Sequence, residues 1–537
     1  MNFWTYISRF IIKGRIPILI ALAIITFFLA SQMQYIRMSY TEANLLPKNH
    51  EVNLEYNKFL DIFGNEGNLI ILATNDSTIY TAKKFNNWNA LSRQLDSLPL
   101  VDFTVSVGDI KKLYKDTENE RFKVAPLFES EPKSDEEIQK IKKDLFNNLP
   151  FFDNFLFNKK TGTLRTIIYI NKDIVNTAER NKFILKTLKP AIESFEKNNA
   201  IDVKISGMPY IRTMNSKSLN DEIGIFLGLA LFVTSLIFFF FFRSHRATLI
   251  TMFVVSIGVI WAFGFIGLFQ YEITVLTALI PPLIIVIGVP NCIFLINKYQ
   301  QEVKKHGNQA KSLQRVISKI GNTTLMANVT TASGFATFIF TESKLLNEFG
   351  VIASINILVI FILSLLIIPI IYSFLPKPKE KHLKHLEKRW VEKIIDWMEN
   401  IVRNKRITVY IISIVLLVSS IIGVYMIRVS GSVIEDMPKG KNFFKDIVFF
   451  EKEFGGIMPL EILIDTKRKK GVMKLSTLKR MDKLNDVIDE IPELSPSVSV
   501  LNLVKYSKQA YYNGNPKYYQ LPTSQERNFI LSYTKNS

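Results

Sequence analysis

Seven apolar runs punctuate this chain, at residues 16–33, 223–242, 247–270, 273–295, 323–340, 349–374 and 407–427. Each is close to the roughly 20 residues that a helix needs to cross a bilayer. Their spacing is uneven: one run, a long polar stretch, five runs in succession, a basic stretch, then the seventh run and a second polar stretch. The first run follows Arg9, Lys13 and Arg15, the flank of a signal peptide. Its apolar part is long for a signal, and the matching run at 407–427 is internal and cannot be one, so it reads as a retained helix.

The long polar stretch carries alternating strand and helix patterns. Residues 68–74 are apolar and β-favouring, 81–98 put Trp88, Leu91 and Leu95 on one helical side, and 101–107 alternate as a strand. Residues 134–149 open with the capping signature Ser134-Asp135-Glu136-Glu137 and continue as a charged helix. Residues 155–157 and 164–170 flank a polar turn and predict a hairpin; 176–198 predict a long helix and 201–206 a last strand. Strand–helix–strand twice over predicts a split βαβ, ferredoxin-like domain. Gly207-Met208-Pro209 after the last strand reads as a turn, with glycine free to take a positive φ.

Part of this pattern returns. Ile36-Arg37-Met38-Ser39 recurs as Ile427-Arg428-Val429-Ser430, an offset of 391 residues. Without a gap, Pro47-Lys48 then falls on Pro438-Lys439, Phe63-Gly64 on Phe454-Gly455, and Ile71-Leu72 on Ile462-Leu463. Residues 460–464, 477–491 and 497–503 are expected to begin the second copy's strand–helix–strand order. An internal repeat that contains membrane spans implies a two-half membrane protein, with the rest of the second half expected outside this sequence. The expected division is residues 1–36 (N-terminus and first span), 37–222 (first α+β domain), 223–375 (five-helix bundle), 376–406 (linker), 407–427 (seventh span) and 428–537 (an incomplete second α+β domain).

Charge sets the orientation. The net charge is +19, with 41 Phe and 48% hydrophobic residues. The basic residues crowd 298–319 and 377–406, beside apolar runs rather than within them. That is the positive-inside pattern; no nucleic-acid motif accompanies it, so no nucleic-acid partner is expected. It places the N-terminus and the basic loops on the inner, cytoplasmic side, with 37–222 and the segment from 428 on the other side; the membrane expected, which the resemblance described below implies, is a bacterial cytoplasmic (inner) one. The single cysteine, Cys292, excludes an intramolecular disulfide, and its apolar surroundings suit an inert thiol. Five His without metal-type spacing and no Gly-Lys-Ser/Thr phosphate loop leave no metal, cofactor or direct ATP use to expect, and no enzymatic motif is found. Residues 377–406 place Leu383, Leu386, Trp390, Ile394, Trp397 and Ile401 near helical spacing, the signature of an amphipathic helix at a lipid surface.

The order of local words resembles a known superfamily. Phe242-Arg243-Ser244 and Thr248-Leu249 precede Leu276-Thr277-Ala278-Leu279-Ile280-Pro281-Pro282 and Ile287-Gly288-Val289. Thr330-Thr331-Ala332-Ser333-Gly334-Phe335, Phe349-Gly350 and Pro369 follow. This series resembles the resistance–nodulation–division superfamily, in its MMPL-like exporter branch, over the whole chain. The resemblance implies twelve spans, two outside porter domains, and export of lipids, hydrophobic compounds or drugs driven by proton movement. It also implies membrane lipids and a hydrophobic or amphipathic small molecule as partners, together with a missing C-terminal half or partner chain; homo-oligomers occur in such families.

Family members often carry a carboxylate in the fourth span just after Ile-Gly-Val, where low dielectric lets it exchange protons near neutral pH. Here Pro290-Asn291-Cys292 follows Gly288, and neither Pro290 nor Asn291 ionises. Three readings stand: the missing half supplies the acid, with Asn291 as its hydrogen-bond partner; a freed Val286 carbonyl beside Asn291 binds Na⁺ in a broken helix; or the membrane domain does not couple. Thr324, Asn328 and Thr331 share one side of the fifth helix, and Asn356 in the sixth is placed to turn towards them. They are candidates for a transport path or for plain interhelical hydrogen bonds. Gly321 and Gly334 are expected to let helices approach closely. The function expected is secondary active export of a lipid-like or hydrophobic substrate; the alternative is a non-transporting scaffold or sensor, or an inactive transporter half.

Overall fold

The computed structural model describes residues 3–38, 49–63, 67–242, 244–274, 276–376, 389–427, 437–456, 460–469, 471–492 and 494–535. In chain order the helices are α1 (Phe3–Lys13), α2 (Arg15–Gln32), α3 (Glu51–Phe63), α4 (Ala82–Asp96), α5 (Asp135–Asn148) and α6 (Ala178–Phe183). There follow α7 (Lys189–Asn199), α8 (Met208–Phe242), α9 (His245–Leu268), α10 (Ile280–His306), α11 (Gln309–Ala336) and α12 (Lys344–Phe374). The last are α13 (Arg389–Asn404), α14 (Arg406–Met426), α15 (Asn442–Phe454), α16 (Leu475–Asp489), α17 (Val500–Tyr511) and α18 (Ser524–Lys535). The strands are β1 (Arg37–Met38), β2 (Leu69–Thr74), β3 (Val101–Val105), β4 (Lys111–Asp116), β5 (Arg121–Pro126), β6 (Phe157–Asn158), β7 (Thr163–Ile170), β8 (Lys204–Ser206) and β9 (Glu272–Ile273). Two compact units result, Met1–Tyr56 with Ser216–Val433 and Asn57–Asn215 with Ile434–Ser537.

The first unit is a helical bundle of the multi-pass membrane class. Among the described residues six helices are long and apolar enough to cross a bilayer: Arg15–Tyr35, Met208–Phe240, His245–Leu268, Thr277–His306, Lys344–Phe374 and Arg406–Met426. The run expected at 323–340 forms the second half of α11 and a short 3₁₀ turn at Thr337–Phe340. Asn322, Thr323, Thr324, Asn328, Thr330 and Thr331 keep α11 below that level of apolarity. The run expected from 273 starts later: Glu272–Ile273 pairs in parallel with Arg37–Met38, and the helix begins after Leu279. Small residues set the spacing inside the bundle. A Cβ at Gly258 or Gly288 would come within 2.5 or 2.8 Å of Ile360, so α9 and α10 both close on α12 at that side chain. The Trp261 indole N–H donates to Thr26 Oγ1 at 2.9 Å, fixing α9 to α2. Gly321 admits the Trp4 ring of α1, as a close-approach glycine should, whereas Gly334 faces open space and serves no such contact. Helix α14 has no buried residue. Leu383 and Leu386 of the basic linker lie outside the described residues; α13 follows with Trp397 and Val402 exposed.

Within the second unit, residues 67–206 carry the strands and helices in the expected order. Strand order is β3-β7-β2-β8, with every neighbouring pair antiparallel and β6 paired to the start of β7. Leu69 pairs with Tyr169 and Thr74 with Leu164, and Ile71 pairs with Ser206 on the other side. Alternation sends Ile70 and Leu72 into a core with Trp88, Leu91 and Leu95 of α4, Ile138 of α5 and Leu188 and Ile192. Ser134 caps α5, accepting from the Glu137 N–H, as its sequence signature demands. The helix expected at 176–198 is α6 and α7 joined by a π-helical turn at Ile184–Leu188. The β4–β5 hairpin was not predicted, because Lys111, Lys112, Lys115, Asp116, Arg121 and Lys123 mask its alternation.

The second copy departs from expectation. Residues 460–464 form no strand among the described residues. Their first-copy counterpart, β2, is held by β7 and β8. Residues 497–503 are not a strand. Ser499 accepts the Leu501 N–H at 3.2 Å and starts α17, whose Leu501 buries against Leu478 and Met481 of α16. Capping and a helix partner win where no sheet edge is offered.

Helix α15 packs on the first copy's sheet, with Phe450 and Phe454 against Ile71 and Ala73. Asp446 on α15 accepts the Ile205 N–H at 3.3 Å and lies 3.7 Å from Lys204 Nζ. Burial pushes its carboxyl up to about 6 against those two partners, with Asp202 and Glu196 adding to the rise. The folded value lies above the ordinary 3.8. The stability tied to the neutral acid is therefore complete below the unfolded value and fades as pH rises through the folded one. The difference in thermal midpoint between wild type and Asp446→Asn should accordingly grow from pH 4 to pH 7 in favour of the variant. A shift of this size corresponds to on the order of 2 kcal/mol. A pH-independent difference would show that the carboxylate is not penalised there.

Candidate functional site

Asn291 and Asn328 meet in the interior of the bundle. Helix α10 runs unbroken through Pro290, and its buried side carries Ile284, Gly288, Asn291, Cys292 and Leu295. Helix α11 buries Gly321, Thr324, Asn328 and Ala332. Where these sides face, the Asn291 amide donates to Asn328 Oδ1 at 3.0 Å and the Asn328 amide donates to Asn291 Oδ1 at 3.0 Å. The second N–H of Asn328 donates to the Thr324 carbonyl at 2.7 Å. That third bond fixes which end of the Asn328 amide is nitrogen, and so fixes the pair. The Thr324 hydroxyl returns to the Ile320 carbonyl at 2.9 Å. Both amides are almost fully enclosed, at 6% and 4% exposure, so each supplies the partner that water cannot.

The other candidate residues separate. Asn356 on α12 is 1% exposed and donates to the Ile352 carbonyl at 2.8 Å, but its Oδ1 has no hydrogen-bond partner among the described residues. Thr331 is exposed and bonds back to the Ala327 carbonyl at 2.9 Å, away from the buried side of α11. Gly288 acts through packing, since a side chain there would strike Ile360. Pro290 and Val286 are exposed, on the side of α10 away from Asn291. Since α10 is one continuous helix, the broken-helix Na⁺ arrangement is not formed.

Sequence reasoning missed Glu302. It stands one helical turn before His306, with its side chain 4% exposed, and it gathers Lys319 at 3.1 Å, His306 at 3.5 Å and Arg315 at 3.7 Å. As the lone acid in the basic stretch 298–319 it had a signal: a single carboxylate among so many cations is where an inward-turned ion pair is sited. It ties the end of α10 to the start of α11. Gln309 adds a tie to α12, its side-chain amide donating to the Leu375 carbonyl at 2.8 Å.

Chemically, the amide pair is a neutral crosslink. Each amide can donate and accept, and neither carries a proton to release. It can hold α10 to α11 or present polar atoms to a third group, but it cannot act alone as a proton carrier.

Comparison with known proteins places this bundle. The MMPL family profile matches residues 124–402. A membrane protein of Methanocaldococcus jannaschii is 21% identical over 248 residues, which cover 46% of this chain and 62% of that protein. The apo-petrobactin exporter of Bacillus anthracis is 22% identical over 372 residues, covering 63% of this chain and 48% of the exporter. The chain thus spans about half to three-fifths of the length of these relatives. MMPL proteins are membrane transporters rather than enzymes. With the profile match covering more than half of its length, this chain belongs to the MMPL family.

Proposed function

We propose that the chain forms part of a secondary active exporter that moves a hydrophobic or amphipathic small molecule across the cytoplasmic membrane. The observation that carries this reading is the family match, which runs from the polar module through the bundle, with an exporter among the relatives. In this reading α11 is the additional span and the N-terminus is cytoplasmic. The polar outer side of α11, with Asn322 and Thr323 exposed, faces protein or water, because in hydrocarbon each unsatisfied polar group costs several kcal/mol. The strand order β3-β7-β2-β8 supports a ferredoxin-like porter module.

Coupling in this reading comes from an acid outside the described bundle, and Asn291 and Asn328 are positioning residues that hold α10 and α11 for it. The uncharged pair also favours a second reading, a scaffold that does not transport. Dye flux in inside-out vesicles bearing the chain together with its remaining segments separates the two. The exporter reading expects dye uptake that follows an imposed proton or sodium gradient and collapses with the matching ionophore. Uptake equal to that of vesicles lacking the protein, under both gradients, favours the scaffold.

A further inference from the structure

Helix α1 precedes the first span and has two apolar sides. One packs into the bundle: Ser8 and Ile11 are buried, and the Trp4 ring fills the notch at Gly321 of α11, where a Cβ would lie 2.4 Å from it. The other side is bare. Phe3, Tyr6 and Phe10, three and four residues apart, share it and are 68%, 67% and 62% exposed. Arg9 and Lys13, also exposed, edge this aromatic stripe.

The contacts of α1 fix the depth at which it lies. Gly321, which receives Trp4, stands two residues before the apolar run of α11 begins at 323. At the other end, just past the break at Gly14, Arg15 Nη1 lies 3.5 Å from Ser373 Oγ and the guanidinium 4.4 Å from the centre of the Phe374 ring. Phe374 closes the apolar run of α12. Both ends of α1 therefore meet a neighbouring helix where that helix's apolar run stops, at the face where α2 enters the hydrocarbon. An eleven-residue helix, about 16 Å long, with both ends at that boundary lies along it. The exposed apolar positions continue at Ile16, Ile20 and Ile24 of α2, so the aromatic stripe opens on the same surroundings as the first span. Aromatic rings suit the headgroup layer, and cations beside them reach lipid phosphates.

On the footing that this unit is a membrane bundle, we propose that α1 is an interfacial helix whose Phe3, Tyr6 and Phe10 rings sit in the phospholipid headgroup layer, with Arg9 and Lys13 at the level of the phosphates. Through Trp4 in the Gly321 notch, α1 then ties the start of the α11 apolar run to the membrane surface.

Nitroxide labels on the complete protein in vesicles of phosphatidylcholine and phosphatidylglycerol test this. Cys292 is buried and is replaced by alanine. Phe27→Cys, exposed on α2, gives the hydrocarbon reference, and Glu136→Cys, exposed on α5, the aqueous one. Labels at Tyr6→Cys and Phe10→Cys should relax with oxygen and only weakly with a water-soluble nickel chelate, at oxygen-to-nickel ratios between the two references. Lys13→Cys should shift towards nickel relative to both. Ratios at both aromatic sites equal to that of Glu136→Cys, while Phe27→Cys remains lipid-like, overturn the proposal and leave the membrane bundle standing. A second copy of the chain on the stripe would broaden the spectra at both sites until unlabelled protein is mixed in, and that result also overturns it. A Phe27→Cys label as aqueous as Glu136→Cys would overturn the membrane bundle and the proposal with it.

Discussion

Gly207→Val should abolish the folded α+β unit. Gly207 sits between β8 and α8 at φ +107, a conformation that costs any side chain. A Cβ there would lie 2.2 Å from the Leu69 carbonyl oxygen and 2.9 Å from the Ile70 Cα. Those atoms belong to β2, which is paired on both edges by β7 and β8 and cannot retreat. Strain and overlap together place the change among the rare substitutions costing more than about 4 kcal/mol, a large share of the 5–15 kcal/mol that a domain typically has. Limited proteolysis should cut the unit within residues 67–206 while the bundle helices stay protected. Gly334→Ala, facing open space within α11, should by contrast leave the proteolysis pattern unchanged. A folded, protease-resistant Gly207→Val protein would show that the Gly207 turn is not fixed as described.

Asn328→Leu should weaken the bundle and depress flux together. Removing one amide leaves Asn291 buried with nothing to bond, at a cost of about 1–3 kcal/mol. The paired change Asn291→Leu with Asn328→Leu removes both groups and should recover most of the thermal stability in detergent, because no orphan remains. Flux should not recover in the double variant if the pair positions α10 and α11 for coupling. Recovery of both stability and flux would reduce the pair to a packing tie.

The sequence exposed some levels of this structure better than others. The helix at 82–96 was legible because its burial follows a period of 3.6, and the strands at 69–74 and 163–170 because burial on both faces makes them nearly continuous apolar, β-favouring runs. The strand expected at 497–503 was not, since Ser-Val-Ser-Val alternates over too few residues to outweigh Ser499 as a helix cap. Asn291 and Asn328 were each legible as polar residues in apolar runs, but their pairing across 37 positions depends on how α10 crosses α11. The same crossing explains Thr331. The buried positions 324, 328 and 332 are four apart, slightly more than a helical turn, so the contact stripe winds around α11 and leaves Thr331 outside it. Glu302 was passed over because composition marks 298–319 as a basic stretch, although its being the one acid there was the available signal.

We propose that export is driven by an ion gradient and depends on the geometry held by Asn291. Gradient-driven dye flux, measured side by side for wild type and Asn291→Ala in vesicles with matched amounts of folded protein, tests it most directly. The account predicts wild-type flux that rises with the imposed gradient and a variant flux lower by about tenfold, equivalent to roughly 1.4 kcal/mol. Equal and gradient-independent flux in the two would contradict it.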